Sequence, residues 1–398
     1  MILILLVLNS CSDEPPLSGP DSFVNGFPVG YYQFNKDKAF NFQLNRWFSM
    51  GYVRYEDMRK AGAHIESFAD WKREMLDMAE LSLSENRIMN AAFYFRAAEF
   101  FTTSGDPDKR NLHQLFTRTF YKAVEQKGVE LVEVPYGKTF IQAMRLQPSL
   151  NETIGTIVIH GGYDSFKEEL YSMMKYFRQQ GYEVITFDTP WMGASRDQRE
   201  MGLDVAWEKP VSALLDHFKA DDVTLIGISM GGWLSLRAAA FEPRIKRVIA
   251  SSVSYDVNQY NNAIGQRVAR YMFEKKRDQL NKTLLKKMDK NLYYSWFVNH
   301  LMDVTNRETP VEAFDILMTF NEENLHSALV KQDVLILTGR NDHMVPFKMH
   351  QKQVEALTNA RSVTERIFTR DECAQNHCQI GNIGLALQTM SDWMESLK

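Results

Sequence analysis

The segment Val223-Thr-Leu-Ile-Gly-Ile-Ser-Met-Gly-Gly232 holds the residues best suited to chemistry. Within it, Gly227-Ile228-Ser229-Met230-Gly231 is a G-x-S-x-G pattern, with an apolar run leading in and a helical pattern leading out. That layout sets a serine on a tight strand-to-helix turn. The flanking positions must lack bulk, and the free N–H groups of the helix start point at the hydroxyl. A serine hydroxyl is a weak nucleophile until a base takes its proton, and the base needs a carboxylate to hold its tautomer. The chemistry would be acyl transfer, against the bland alternative of an inert serine in a glycine-rich turn.

Of nine histidines, His300, His326, His343, His350 and His377 follow Ser229, and in this layout the chain order is Ser, acid, His. His300 and His326 lie in a polar helical segment, His350 on a helix, and His343 directly beside the acid candidate. His377, in Asp371-Glu-Cys-Ala-Gln-Asn-His-Cys-Gln-Ile380, falls between the last expected strand and the last helix and is the expected base. Asp342, in Leu337-Thr-Gly-Arg-Asn-Asp-His-Met-Val-Pro346, follows a buried strand and is the expected orienting acid. Asp333 precedes that strand, at the wrong edge. Met230 supplies one expected backbone oxyanion donor. Gly162 or Tyr163, in Ile159-His160-Gly161-Gly162-Tyr163, supplies the other, and the sequence does not choose between them. His160 reads as a loop brace. Cys373, His377 and Cys378 lack a fourth ligand at metal spacing, so no metal and no cofactor is expected.

These residues need a sheet to carry them. From Val129 the pattern alternates: strands at Val129–Val134, Thr139–Leu146, Thr156–Ile159, Glu183–Phe187, Val223–Ile228, Arg247–Ser251, Val334–Leu337 and Ser362–Phe368. Pro135-Tyr136-Gly137 is the expected hairpin turn. Helices are expected at Phe166–Gln180, Asp204–Phe218, Met230–Phe241, Pro346–Leu357 and Ile383–Leu397. Such β-α alternation implies an α/β fold, a mostly parallel sheet with helices on both faces. Before it, residues 31–127 read as a helical cap domain, with a start at Ser67 and Pro107 at a first helical position. The resulting division is a signal-like segment and linker (1–30), the helical domain (31–127), the core's first part (128–255), a helical insertion (256–330) and the core's second part (331–398).

Composition narrows the function. There are 46 Lys+Arg against 50 Asp+Glu, a net charge of −4, which argues against a nucleic-acid partner. Among 48 aromatic residues, 19 fall within positions 31–126. Most should pack between helices, with a minority on Tyr31–Phe48 or Phe93–Phe101 facing a pocket for a bulky, apolar small-molecule substrate.

Together, His160-Gly161-Gly162, Asp188-Thr-Pro-Trp-Met-Gly-Ala-Ser195, Gly227–Gly231, Gly339–Pro346 and His377 resemble the α/β-hydrolases, with Trp191 standing where the family's D-x-P-G-x-G-x-S loop has a glycine. More narrowly, Tyr32-Gln-Phe, Phe42-Gln-Leu-Asn-Arg-Trp47, Phe95-Arg-Ala-Ala-Glu-Phe100, Gly128–Gly137 and His160–Glu169 are similar to the subgroup with an N-terminal helical domain, the fermentation/respiration-switch-like esterases and C–C bond hydrolases. The resemblance implies a serine hydrolase with Ser229, His377 and Asp342 as its triad and the helical domain over the site. Carboxylester cleavage is the first expectation. C–C cleavage of an aryl or alkyl diketone, prolyl-oligopeptidase-like cleavage of small peptides, and a non-catalytic binding module are the alternatives.

The chain starts MILILLVLNSC, then a Pro- and Ser-rich tether. This resembles a bacterial lipoprotein signal with Cys11 as the lipid-anchor site, although no basic residue precedes the run and Asn9 stands where a small apolar residue is usual. A cell-envelope lipoprotein and a cytoplasmic protein with a frayed start both remain open. Cys373 and Cys378 could pair in an oxidising compartment or stay as thiols. The oligomeric state is not legible.

Overall fold

The structure, a computed structural model, describes residues 19, 21–103, 105–125, 127–149, 153–189 and 202–398. Cys11 and the Trp191–Ser195 stretch lie outside the described residues. The segment expected to be linker up to residue 30 ends in a hairpin, β1 (Phe23–Val24) and β2 (Phe27–Pro28). Its turn residues Asn25 and Gly26 both take positive φ (52° and 82°), the signature of a type I′ turn that the Asn-Gly pair favours.

Five helices follow: α1 (Lys38–Ser49), α2 (Tyr55–Gly62), α3 (Phe68–Ser84), α4 (Ile88–Phe100) and α5 (Lys109–Val124). Ser67 caps α3 by accepting the Asp70 N–H at 3.1 Å. Pro107 is not a first helical residue, because Asp106 Oδ1 takes the Asp108 N–H at 2.9 Å and delays α5 to Lys109. α4 packs between α3 and α5 and is buried from Ala91 to Phe100.

The sheet has eight strands: β3 (Val129–Tyr136), β4 (Thr139–Leu146), β5 (Thr156–His160), β6 (Glu183–Phe187), β7 (Val223–Ile228), β8 (Ile245–Ser251), β9 (Asp333–Gly339) and β10 (Ser362–Phe368). Their order is β10-β9-β8-β7-β5-β6-β4-β3, and only the β3–β4 and β4–β6 pairs are antiparallel. β3 runs two residues further than expected, through Tyr136, so the hairpin turns at Gly137-Lys138, with Gly137 at φ +61°. α6 (Tyr171–Gln179), α7 (Glu208–Phe218), α8 (Met230–Phe241), α14 (Lys348–Ala356) and α15 (Ile383–Ser396) cover the sheet. The expected helix from Phe166 begins instead as one 3-10 turn, Lys167–Leu170, before α6. α7 starts four residues later than expected.

Between β8 and β9 the chain inserts α9 (Ala263–Lys275), α10 (Arg277–Met288), α11 (Leu292–Thr305), α12 (Pro310–Leu317) and α13 (Glu322–Leu325). Among the described residues, no helix is long and apolar enough to cross a membrane.

The sheet order sets the site. The chain leaves β5 for β6 on one side, then returns to β7 on the other. β5 and β7 are parallel neighbours with His160 opposite Gly227. Their carboxyl ends open onto a shared crevice, where open α/β sheets bind ligands.

Candidate active site

Ser229 sits between β7 and α8 at φ 62°, ψ −127°, a backbone conformation that a β-carbon makes costly. The flanking glycines are explained by contact. A β-carbon on Gly227 would stand 1.9 Å from the Gly231 carbonyl oxygen, and one on Gly231 would stand 2.5 Å from the Gly161 carbonyl oxygen. Neither glycine needs positive φ; each leaves room for another backbone.

The three residues expected to act together are brought together. His377 Nε2 is 2.8 Å from Ser229 Oγ, and His377 Nδ1 is 2.7 Å from Asp342 Oδ2. The other carboxylate oxygen of Asp342 accepts the N–H groups of Met344 (2.8 Å) and Val345 (2.9 Å), which fixes the carboxylate's plane. Burial works against charge on both groups, yet their attraction prevails. Asp342 is held below the ordinary carboxylate range and His377 well above the ordinary imidazole value. Such an imidazole can take a proton from a hydroxyl and return it to a leaving group.

The other candidates fall elsewhere. His343 packs edge-on against Phe42 with ring centres 4.5 Å apart, and burial pushes its pKa down to about 4. His350 lies between Thr338 Oγ1 and Glu365, both at 2.8 Å. Asp333 pairs with Arg361 at the far edge of the sheet. His160 is wholly buried, which lowers its pKa to about 4. Its Nε2 accepts the Trp207 indole N–H at 3.2 Å, so its Nδ1 carries the proton and donates to the Gly161 carbonyl at 2.9 Å. It braces the loop after β5.

That loop faces the serine. Gly162 lies against the start of α8, where a β-carbon on it would be 2.8 Å from the Met230 nitrogen. Met230 is the first residue of α8, so its N–H has no partner within the helix. Tyr163 is clamped twice by α11. Its hydroxyl donates to the Phe297 carbonyl at 2.8 Å, and His300 Nε2 lies 3.0 Å from the Tyr163 carbonyl oxygen.

Behind the loop a buried network joins it to the N-terminal helices. Arg46 holds Asp164 (3.0 Å) and Glu169 (2.8 Å), and Arg96 holds the second oxygen of Glu169 (2.9 Å) and pairs with Glu99. Neither this network nor the Tyr163 clamp follows from the local sequence pattern. The run Tyr293-Tyr-Ser-Trp-Phe297 was the available signal for the second.

Above Ser229 lies a cavity of about 200 Å³. Most rings of residues 31–126 pack between helices, as their pattern predicts, and the expected minority facing the pocket is a single ring, while the insertion supplies most of the aromatic wall. Phe42 alone of the expected rings lines it, whereas Tyr260, Tyr293, Trp296, Phe297 and Phe320 come from the insertion. The rings of α4 are occupied in packing: Phe93 stacks on Tyr52 with centres 3.5 Å apart and planes 5° apart. Cys378 lines the cavity beside His377, and Cys373 is buried. Among the described residues, no group of three His, Cys, Asp or Glu could hold a metal ion.

A doubly wound sheet with this serine turn at its switch point defines the class: a hydrolase. A family model described as the alpha/beta hydrolase fold matches residues 157–367, and the chain belongs to that family. It is similar to hydrolase LUC6 of a Fusarium species, 33% identical over 195 residues, a stretch covering 42% of this chain and 45% of that protein. It is also similar to alpha/beta hydrolase psoB of Aspergillus fumigatus, 26% identical over 383 residues, covering 86% and 84%. A solved structure of 2,6-dihydroxy-pseudo-oxynicotine hydrolase shares the fold over 88% of this chain and 94% of that one, with a TM-score of 0.63 at 20% identity.

Proposed function

We propose that the chain is a serine hydrolase cleaving a carboxylester of a bulky, apolar small molecule through an acyl-enzyme. The observation that carries this is the continuous hydrogen-bonded line Ser229–His377–Asp342 at 2.8 and 2.7 Å. Ser229 Oγ attacks the acyl carbonyl as His377 Nε2 takes its proton. The carbonyl oxygen becomes an oxyanion facing the N–H groups of Met230 and of Gly162 or Tyr163. As the tetrahedral adduct collapses, His377 gives the proton to the departing alcohol. Water, deprotonated by the same nitrogen, then releases the acid. Asp342 stays ionised and stabilises the imidazolium.

The fluorophosphonate test is direct. Ser229→Ala should abolish both hydrolysis of activated short-chain esters and covalent labelling by a fluorophosphonate probe. A labelled Ser229→Ala protein would overturn the assignment.

A second reading, hydrolysis of a C–C bond beside a ketone, uses the same residues. It is favoured by the reach of the structural likeness, since the match to the pseudo-oxynicotine hydrolase spans the N-terminal helices as well as the sheet. Turnover of an aryl β-diketone in preference to the matching ester by the purified protein would select it.

A further inference from the structure

The balanced charge of the whole chain hides a local excess. Residues 263–290, covering α9 and α10, contain nine Lys+Arg and three Asp+Glu. On α9, Arg267, Arg270, Lys275 and the following Lys276 are exposed and make no ion pair among the described residues, whereas Arg277 is held by Asp315 at 2.6 Å.

The same helix turns an apolar stripe to solvent. Ile264, Val268 and Tyr271 are 73%, 39% and 53% exposed. Their spacing of four and three sets them on one helical face, and Lys275 continues that row. Only Ala269 of α9 is buried, so the helix rests lightly on the molecule by its opposite side. An outward apolar row edged by unpaired cations is the pattern of a helix lying in a membrane interface.

The location suits a function at a surface. α9 begins three residues after Tyr260, which lines the cavity, and Lys348 Nζ, at the start of α14, ties the preceding turn down through the Asn261 carbonyl at 3.3 Å.

We infer that α9 is a docking face for an anionic lipid surface, with Ile264, Val268 and Tyr271 entering the acyl boundary and Arg267, Arg270 and Lys275 meeting the headgroups. A nucleic acid would satisfy the cations but would leave the apolar row against water or phosphate, so the lipid surface accounts for both features. The inference stands on the surface alone and does not depend on the reaction proposed for Ser229.

The experiment is vesicle co-sedimentation of the full chain. Vesicles of phosphatidylcholine alone are compared with vesicles of phosphatidylcholine and phosphatidylglycerol (3:1), at low and high salt. Two triple variants are made, I264S/V268S/Y271S and R267E/R270E/K275E. All six positions are on the surface, and circular dichroism melting checks that both variants fold. The N-terminal apolar run is common to all three proteins, so differences report on α9. Binding to the anionic vesicles should exceed binding to the neutral ones at least about tenfold, and each variant and high salt should each remove about tenfold or more. Equal binding to both vesicle types, or unchanged binding by either variant, overturns the proposal. Loss in the charge variant alone, with duplex DNA competing for the wild type, overturns it in favour of a polyanion-binding patch.

Discussion

His300 Nε2 lies 3.0 Å from the carbonyl oxygen of Tyr163, joining α11 of the insertion to the loop that faces Ser229. Burial lowers the His300 pKa, and because a carbonyl oxygen can only accept, the ring donates from Nε2. The bond anchors the Tyr163–Asp164 peptide, next to the backbone N–H groups proposed as oxyanion donors. Removing an oxyanion donor outright costs ~10²–10³ in rate, so loosening one should cost roughly tenfold. His300→Ala should therefore lower kcat on an activated ester about tenfold with KM within about twofold, and His300→Gln, which keeps an N–H donor, should recover part of the loss. Steady-state kinetics on the three proteins check this. A change in KM alone would make His300 a pocket residue instead.

Gly231 offers a test of the serine turn that leaves every reacting group in place. A β-carbon there would meet the Gly161 carbonyl oxygen at 2.5 Å, and that atom is backbone, unable to swing aside. Gly231→Ala must push the loop after β5 away from α8, widening the gap that the oxyanion would occupy. A fall in kcat/KM of about 100-fold is expected, the scale of one lost oxyanion donor. Far-ultraviolet circular dichroism should stay unchanged, since the shift is local.

The paired shifts of His377 and Asp342 set the pH profile. In the proposed mechanism His377 must be neutral to accept the serine proton, and Asp342 holds its pKa well above the ordinary ~6.5. Activity on a neutral ester should rise with pH through an apparent pKa above that value, then level off. For folding the sign runs the other way on the basic side. The stabilisation His377 gains from Asp342 is complete below the unfolded imidazole pKa and is lost as pH rises through the raised folded value. Asp342, depressed in the fold, contributes above its unfolded pKa and loses that contribution as pH falls through its folded value. In Asp342→Asn the rate profile should move to lower pH while the plateau drops by about 10⁴, as the imidazole loses its orienting acceptor. Initial rates across pH with both proteins test it.

What the sequence disclosed of this site was whatever sits at a strand end. Ser229 follows β7, Asp342 follows β9 and His377 follows β10, so local pattern and strand order suffice to assemble them. The Tyr163–His300 bond spans 137 positions and depends on how the insertion folds back over the sheet, which no local period encodes. Asn25-Gly26 was legible in principle, since that pair favours a hairpin, but two-residue strands leave almost no alternation to find. The aromatic density of residues 31–126 marks mainly packing between helices, with Phe42 as the expected minority at the cavity; what it could not disclose is that the insertion supplies most of the wall. α4 is enclosed by α3 and α5, and none of its rings lines the cavity above Ser229.

That distinction between core rings and pocket rings can be separated by two substitutions. Phe93 is fully buried, stacked on Tyr52 and edge-on to Phe116 with centres 5.6 Å apart. Phe93→Ala should cost about 3–5 kcal/mol of stability and leave KM for a bulky aryl ester unchanged at a temperature where the protein remains folded. Phe297 is half-buried in the cavity wall, facing Tyr163 with centres 5.3 Å apart. Phe297→Ala should cost less, about 1–2 kcal/mol, because part of its surface is already in water. Its KM for the bulky ester should rise roughly fivefold, the scale of about 1 kcal/mol of lost apolar contact, while KM for an acetyl ester hardly moves. Denaturant melts and paired kinetics on both variants decide it, and a KM increase in Phe93→Ala matched by none in Phe297→Ala would return the pocket wall to the N-terminal helices.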